Sequence, residues 1–225
     1  MSLSRIFLLL SLALTVAALV LAYMMGQPAP AGAEPLPNGH EREILALYFA
    51  QSLDDLAFIT GDAGAALREY LMQVQAYDMY FPFAFAGLAA CLFTALGLRG
   101  VHLAWVGTLT ALFVIGADLA ENEVANRILA DLEAGADPTE RLDALNSHSW
   151  IKWWAIAGYM VWMSLVLFLE KRRMLALFPV LGAVPIVIGW LTQPDGSVMA
   201  MTYPLLVVAM LSFPVIAIVY LRAGK

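Results

Sequence analysis

Asp118, Glu121 and Asn122 stand at spacings i, i+3 and i+4, which puts two carboxylates and an amide on one helical face. They close an apolar run that begins at Val101. Ionisable groups in such a place are expensive to bury, and they mark function or mutual pairing. Asp78 and Lys152 can reach the same level from neighbouring segments, and Ser147-His148-Ser149 lies just before Lys152. Groups of these types can act as acid and base, bind a polar headgroup, or hold a hard cation through the oxygens of Asp78, Asp118 and Glu121. Asp78, Asp118, Glu121, Asn122, His148 and Lys152 form the candidate cluster.

Convergence follows from counting along helices. Arg99-Gly100 makes a turn too short for anything but antiparallel neighbours. Asp78 lies 22 residues before Gly100 and Glu121 lies 21 after it, so both reach the same depth, with Asp118 about 5 Å deeper. Lys152 lies 19 residues before Lys171, at the matching end of the next span, among the interfacial tryptophans Trp150, Trp153 and Trp154. Asn126 extends the polar stripe outward, whereas Glu123 points elsewhere. Each residue also has a structural explanation: Lys152 can snorkel, Asp78 can mark a boundary, His148 can start a helix, and the whole can be an ion-pair network that fixes helix register.

The elements that position these residues are membrane spans. The chain is 62% hydrophobic and 13% charged, and its mean hydropathy is +0.78, whereas charged residues alone make up about a quarter of a soluble domain. Six runs are long enough to cross about 30 Å of hydrocarbon: 6–25, 79–98, 101–121, 150–169, 174–192 and 200–221. The fold class is therefore all-α, a polytopic bundle of six transmembrane helices with a small extracytoplasmic helical cap. Arg5, Arg99, Lys171, Arg172, Arg173, Arg222 and Lys225 gather at one set of helix ends with the single acid Glu170. By the positive-inside rule both termini are cytoplasmic, in a bacterial inner membrane, and segments 26–78 and 122–149 lie outside. Ala31-Gly32-Ala33 resembles a signal-cleavage site, but the apolar stretch before it exceeds a signal core, which favours an uncleaved anchor.

Within 26–78, the Pro- and Gly-rich stretch 27–39 reads as a linker. Asn38 with Glu41 predicts a capping box for an amphipathic helix over 41–58, with Ile44, Leu45, Tyr48, Phe49, Leu53 and Leu56 on its apolar face. Thr60-Gly61-Asp62 predicts a break and a new cap, followed by a helix from Ala63 that enters the membrane near Asp78, with Pro82 at the boundary. The third span continues outward to about Glu133 and stops at Gly135-Ala136-Asp137-Pro138. Pro179, Gly182, Pro185, Gly189, Pro204 and Pro214 predict bends in the last two spans.

Several function classes fall away. His40, His102 and His148 are the only histidines, and His102 lies at the opposite end, so a three-histidine zinc site is excluded within one chain. Cys91 is the only cysteine and reads as a small buried apolar side chain. No cofactor motif, internal repeat or G-x-S-x-G elbow is present, and the acidic outer face excludes nucleic acid. The midplane offers only hydroxyls such as Thr94, Thr108, Thr110 and Ser164, which disfavours a small-molecule transporter.

Asp118-x-x-Glu121-Asn122 followed by Lys152-Trp153 resembles a pattern in uncharacterised bacterial polytopic membrane proteins. The resemblance covers two helix ends and implies no function. Beyond the lipid bilayer itself, the expectation is a polar site at the extracytoplasmic interface that binds a partner subunit, a lipid headgroup or a small cation. The alternative is a lipid-modifying enzyme that uses a carboxylate as general acid or base.

Overall fold

The computed structural model describes residues 1–30 and 35–223. The proposed cleavage site at 31–33 and Lys225 lie outside them. The helices are α1 (Leu3–Met25), α2 (Glu43–Tyr48), α3 (Ala65–Asp78), α4 (Phe81–Gly97), α5 (Ala104–Glu133), α6 (Thr139–Leu169), α7 (Arg173–Leu181), α8 (Ala183–Thr192) and α9 (Gly196–Arg222). Among the described residues, six helical units are long and apolar enough to cross a membrane: α1, α3–α4, α5, α6, α7–α8 and α9.

The spans pack in chain order around a ring that α1 closes against α9. Close approach depends on glycine at two points. A Cβ on Gly107 would overlap the Phe93 ring, so α5 can seat against α4 only without one. Gly182, between α7 and α8 of the fifth span, seats against Met160 of α6 where a Cβ would overlap it. Pro82 sits in the first turn of α4, where its missing N–H costs nothing, so the chain breaks at Met79–Tyr80 and starts a new helix. Cys91 on α4 is half-buried rather than fully buried.

At one end of the ring, α5 and α6 run on beyond the apolar lengths as a hairpin. It ends at Gly135, whose φ of 69° suits a residue without a Cβ. Helix α6 begins at Thr139, well before position 150. Leu47, Leu56, Phe58, Leu71, Ile128 and Leu142 pack here as a second apolar cluster, separate from the bundle core. Buried Arg68 ties the layer together: it donates to the carbonyl of Ile59 at 2.8 Å and to Glu133 at 2.7 Å.

The 41–58 helix does not form as one piece, and the capping box is not made. Asn38 adopts φ 52° inside a 3₁₀ turn, Pro37–Gly39, and α2 runs only from Glu43 to Tyr48. The reason is Asp55. Its carboxylate accepts from the backbone of Gln51 and Ser52, the Ser52 hydroxyl and the Asn38 amide, all within 3.0 Å. This local knot offers the backbone an alternative to helix, and residues 54–59 become a 3₁₀ turn. Asp62 likewise caps nothing: α3 starts at Ala65, after Gly64.

Candidate functional site

Five of the six candidate residues meet. Lys152 of α6 pairs with Glu121 of α5 and lies 3.4 Å from Asp118 Oδ1, with all three side chains buried. Tyr48, carried in by α2, lies under the ammonium, with Nζ 4.7 Å from its ring centroid. The Tyr48 hydroxyl lies 2.6 Å from Asp78 Oδ2 and 2.9 Å from Asn122 Oδ1, and accepts from Gln75 Nε2 at 3.0 Å. Its single hydrogen is shared between those two oxygens. Asn122 donates to the Asp78 carbonyl at 3.2 Å, and Ser149 donates to the Tyr48 carbonyl at 3.2 Å. Burial, and then the negative charges of Asp78, Glu121 and Asp118, hold the Tyr48 phenol well above its ordinary value, so it serves as a neutral hydrogen-bonding group.

His148 does not join the cluster. It lies well inside α6, half-exposed, with Nδ1 2.6 Å from the Ala144 carbonyl one turn back. Because α6 starts at Thr139, His148 does not begin the helix. Glu123 is exposed and pairs with Arg127. The hard-cation arrangement of Asp78, Asp118 and Glu121 is not formed: the Lys152 ammonium occupies the position between Asp118 and Glu121. Among the described residues, no three His, Cys, Asp or Glu side chains gather as a metal site.

Tyr48, Gln75 and Ser149 are members that sequence reasoning missed. The sequence places Tyr48 on the apolar face of a 41–58 helix, and the available signal for its role is that a buried tyrosine needs a partner for its hydroxyl. The buried set holds three carboxyl groups against one ammonium, and Glu121 Oε1, Gln75 Oε1 and Trp153 Nε1 have no protein partner.

Beside this cluster lies a cavity of about 280 Å³ between α1, α4, α6 and α9. Asp78, Asp118, Lys152, Tyr48, Arg42 and Tyr203 line one end of it, and Leu88, Leu206, Val207 and Met210 line the other. On α1 it reaches from Met25 to Thr15, ten residues or about 15 Å, which is half of a hydrocarbon core of about 30 Å. Three of its lining residues on α1 and α9, Leu19, Val207 and Leu211, are 53%, 44% and 46% exposed. The exposed apolar part of its lining is therefore on the α1 and α9 side.

A separate joint holds the end layer to α9. His40 stacks on Phe49 at 6.0 Å, Phe49 meets Trp150 at 4.9 Å, and Trp150 donates to Gln193 at 3.0 Å. Gly196 leaves room for the His40 ring, which a Cβ would strike. Burial holds the His40 imidazole below its ordinary value, and the charges of Asp55 and Asp195 offset only part of that effect. Comparison with protein-family models, curated proteins and solved structures gives no match.

Proposed function

We propose that this chain is a multi-pass protein of the bacterial inner membrane that holds one lipid-like amphiphile taken from the outer leaflet. The observation that carries the reading is the cavity: one leaflet deep, with charged groups at one end only and an exposed apolar lining on α1 and α9. A hydrocarbon chain fits the apolar length, and its polar head reaches the level of Asp118 and Lys152. Ligand sites are commonly apolar clefts with a few convergent polar groups, and this one has that form. Placing the polar end outside rests on the Lys/Arg asymmetry, which also puts both termini in the cytoplasm.

Quantifying lipid that remains with protein purified in mild detergent tests the reading. About one amphiphile per chain is expected, and Ala18→Phe, which narrows the apolar length, should lower that ratio several-fold while the fold is kept. Lipid-free wild-type protein, or equal retention by the variant, contradicts it.

A second reading, a lipid-modifying enzyme, has one observation in its favour: Asp78 and Asp118 line the cavity and so place carboxyl groups beside the bound head. Chemical change of the retained lipid's head on incubation, abolished by Asp118→Asn, would establish it. A head left unchanged would remove it.

A further inference from the structure

Resting on the amphiphile reading, we propose that the headgroup is anionic, a phosphate or a carboxylate, and that Arg42 at the cavity mouth is its counter-charge. The floor of the polar end cannot play that part. It carries Asp78, Asp118 and Glu121, and its one ammonium, Lys152, is already engaged by Asp118 and Glu121. A bare anion set against that floor would be repelled.

Arg42 is differently placed. It lines both the cavity and a neighbouring polar pocket of about 230 Å³ formed with Gln27, Glu43 and Tyr70. Met25, Ile44 and Val74 also border both spaces, so the two are adjacent at this wall. Arg68, Arg127, Arg141 and Lys152, at the same end of the molecule, are each paired with a carboxylate. Among the described residues, Arg42 has no such partner. Its guanidinium lies over the Tyr203 ring, 5.6 Å from the centroid, a cation–π contact that leaves it without a carboxylate partner. The N–H fork of a guanidinium matches two oxygens of a phosphate or carboxylate. Glu43, the acid that shares the polar pocket, does not line the cavity. A chain lying along α1 and α9 therefore brings its head to Arg42 first.

The test uses the full chain in nanodiscs of phosphatidylcholine, with tetradecyl phosphate, tetradecyl maltoside and inorganic phosphate as probes. Wild type should bind tetradecyl phosphate about tenfold or more tightly than the maltoside, the strength of one charge-assisted contact. Arg42→Gln should abolish that preference while leaving maltoside binding intact, which also shows that the variant is folded. Arg42→Lys, which keeps the charge and loses the fork, should fall between them. Equal binding of both heads by wild type, or a preference that survives Arg42→Gln, overturns the assignment of Arg42 while the amphiphile reading stands. Binding of neither amphiphile, with Ala18→Phe indistinguishable from wild type, overturns both. Inorganic phosphate competing as well as tetradecyl phosphate identifies a free-anion site and also overturns the proposal.

Discussion

The Tyr48 hydroxyl, carried by a six-residue helix outside the spans, meets the Asp78 carboxyl group at 2.6 Å where the chain is about to enter the bundle. One contact thus fastens the end layer to the second span and closes the roof of the carboxylate cluster. Tyr48→Phe removes the hydroxyl and leaves Asp78 and Gln75 short of a partner, so a loss of about 1–3 kcal/mol is expected. The same pair sets an alkaline limit. Because the folded protein keeps Tyr48 protonated well above its ordinary value, this contribution is intact below about pH 10 and is lost as pH rises through the folded value. Thermal unfolding of wild type and Tyr48→Phe should differ below about pH 10 and converge as pH rises through the higher folded value.

Lys152 with Asp118 and Glu121 gives a second expectation. Removing one member of a buried pair leaves an uncompensated charge, at a cost of about 3–5 kcal/mol, so Lys152→Met should unfold at a much lower temperature. Glu121→Gln together with Lys152→Met should recover part of the loss. Additive losses in the double variant would show that the two do not act as a pair.

Much of this cluster was legible in the sequence. The i, i+3, i+4 spacing put Asp118, Glu121 and Asn122 on one face, and equal counting from Arg99-Gly100 brought Asp78 to their depth, because antiparallel helices share one rise per residue. Lys152 followed from the same count on α6. The six spans were legible because apolar length is a property of the chain alone. Tyr48 was not, since its position depends on the knot at Asp55 that ends α2 and folds the layer inward. His148 was not, since its ring is engaged by the Ala144 carbonyl one turn back rather than by the cluster. The cavity was invisible for a different reason: it is space that Thr15, Ala18 and Ala22 of α1 do not fill toward α9, and such gaps depend on how far apart packed helices stand.

His40 gives an acid-side expectation. The imidazole packs between Phe49 and Gly196, and its burial there favours the neutral form and keeps its value low. Its contribution is therefore full above about pH 6.5 and is lost as pH falls through the lower folded value. Stability of wild type should decline over that acidic range more steeply than stability of His40→Gln. Parallel pH profiles would show that the joint does not sense protons.

The orientation has its own check. In a Cys91→Ala background, Leu36→Cys and Ala136→Cys should react with a membrane-impermeant maleimide added to intact cells. Labelling only after the cells are opened would reverse the assigned topology.

The most direct measurement of the central claim is photo-crosslinking from inside the bundle. Leu206 lines the cavity and is 6% exposed, whereas Phe213, on the same helix, is 1% exposed and does not line it. A photoreactive amino acid at 206 should yield a lipid adduct on irradiation in membranes, and the same group at 213 should yield none. Absence of an adduct at 206, or equal adducts at both positions, would contradict a lipid chain held between α1 and α9.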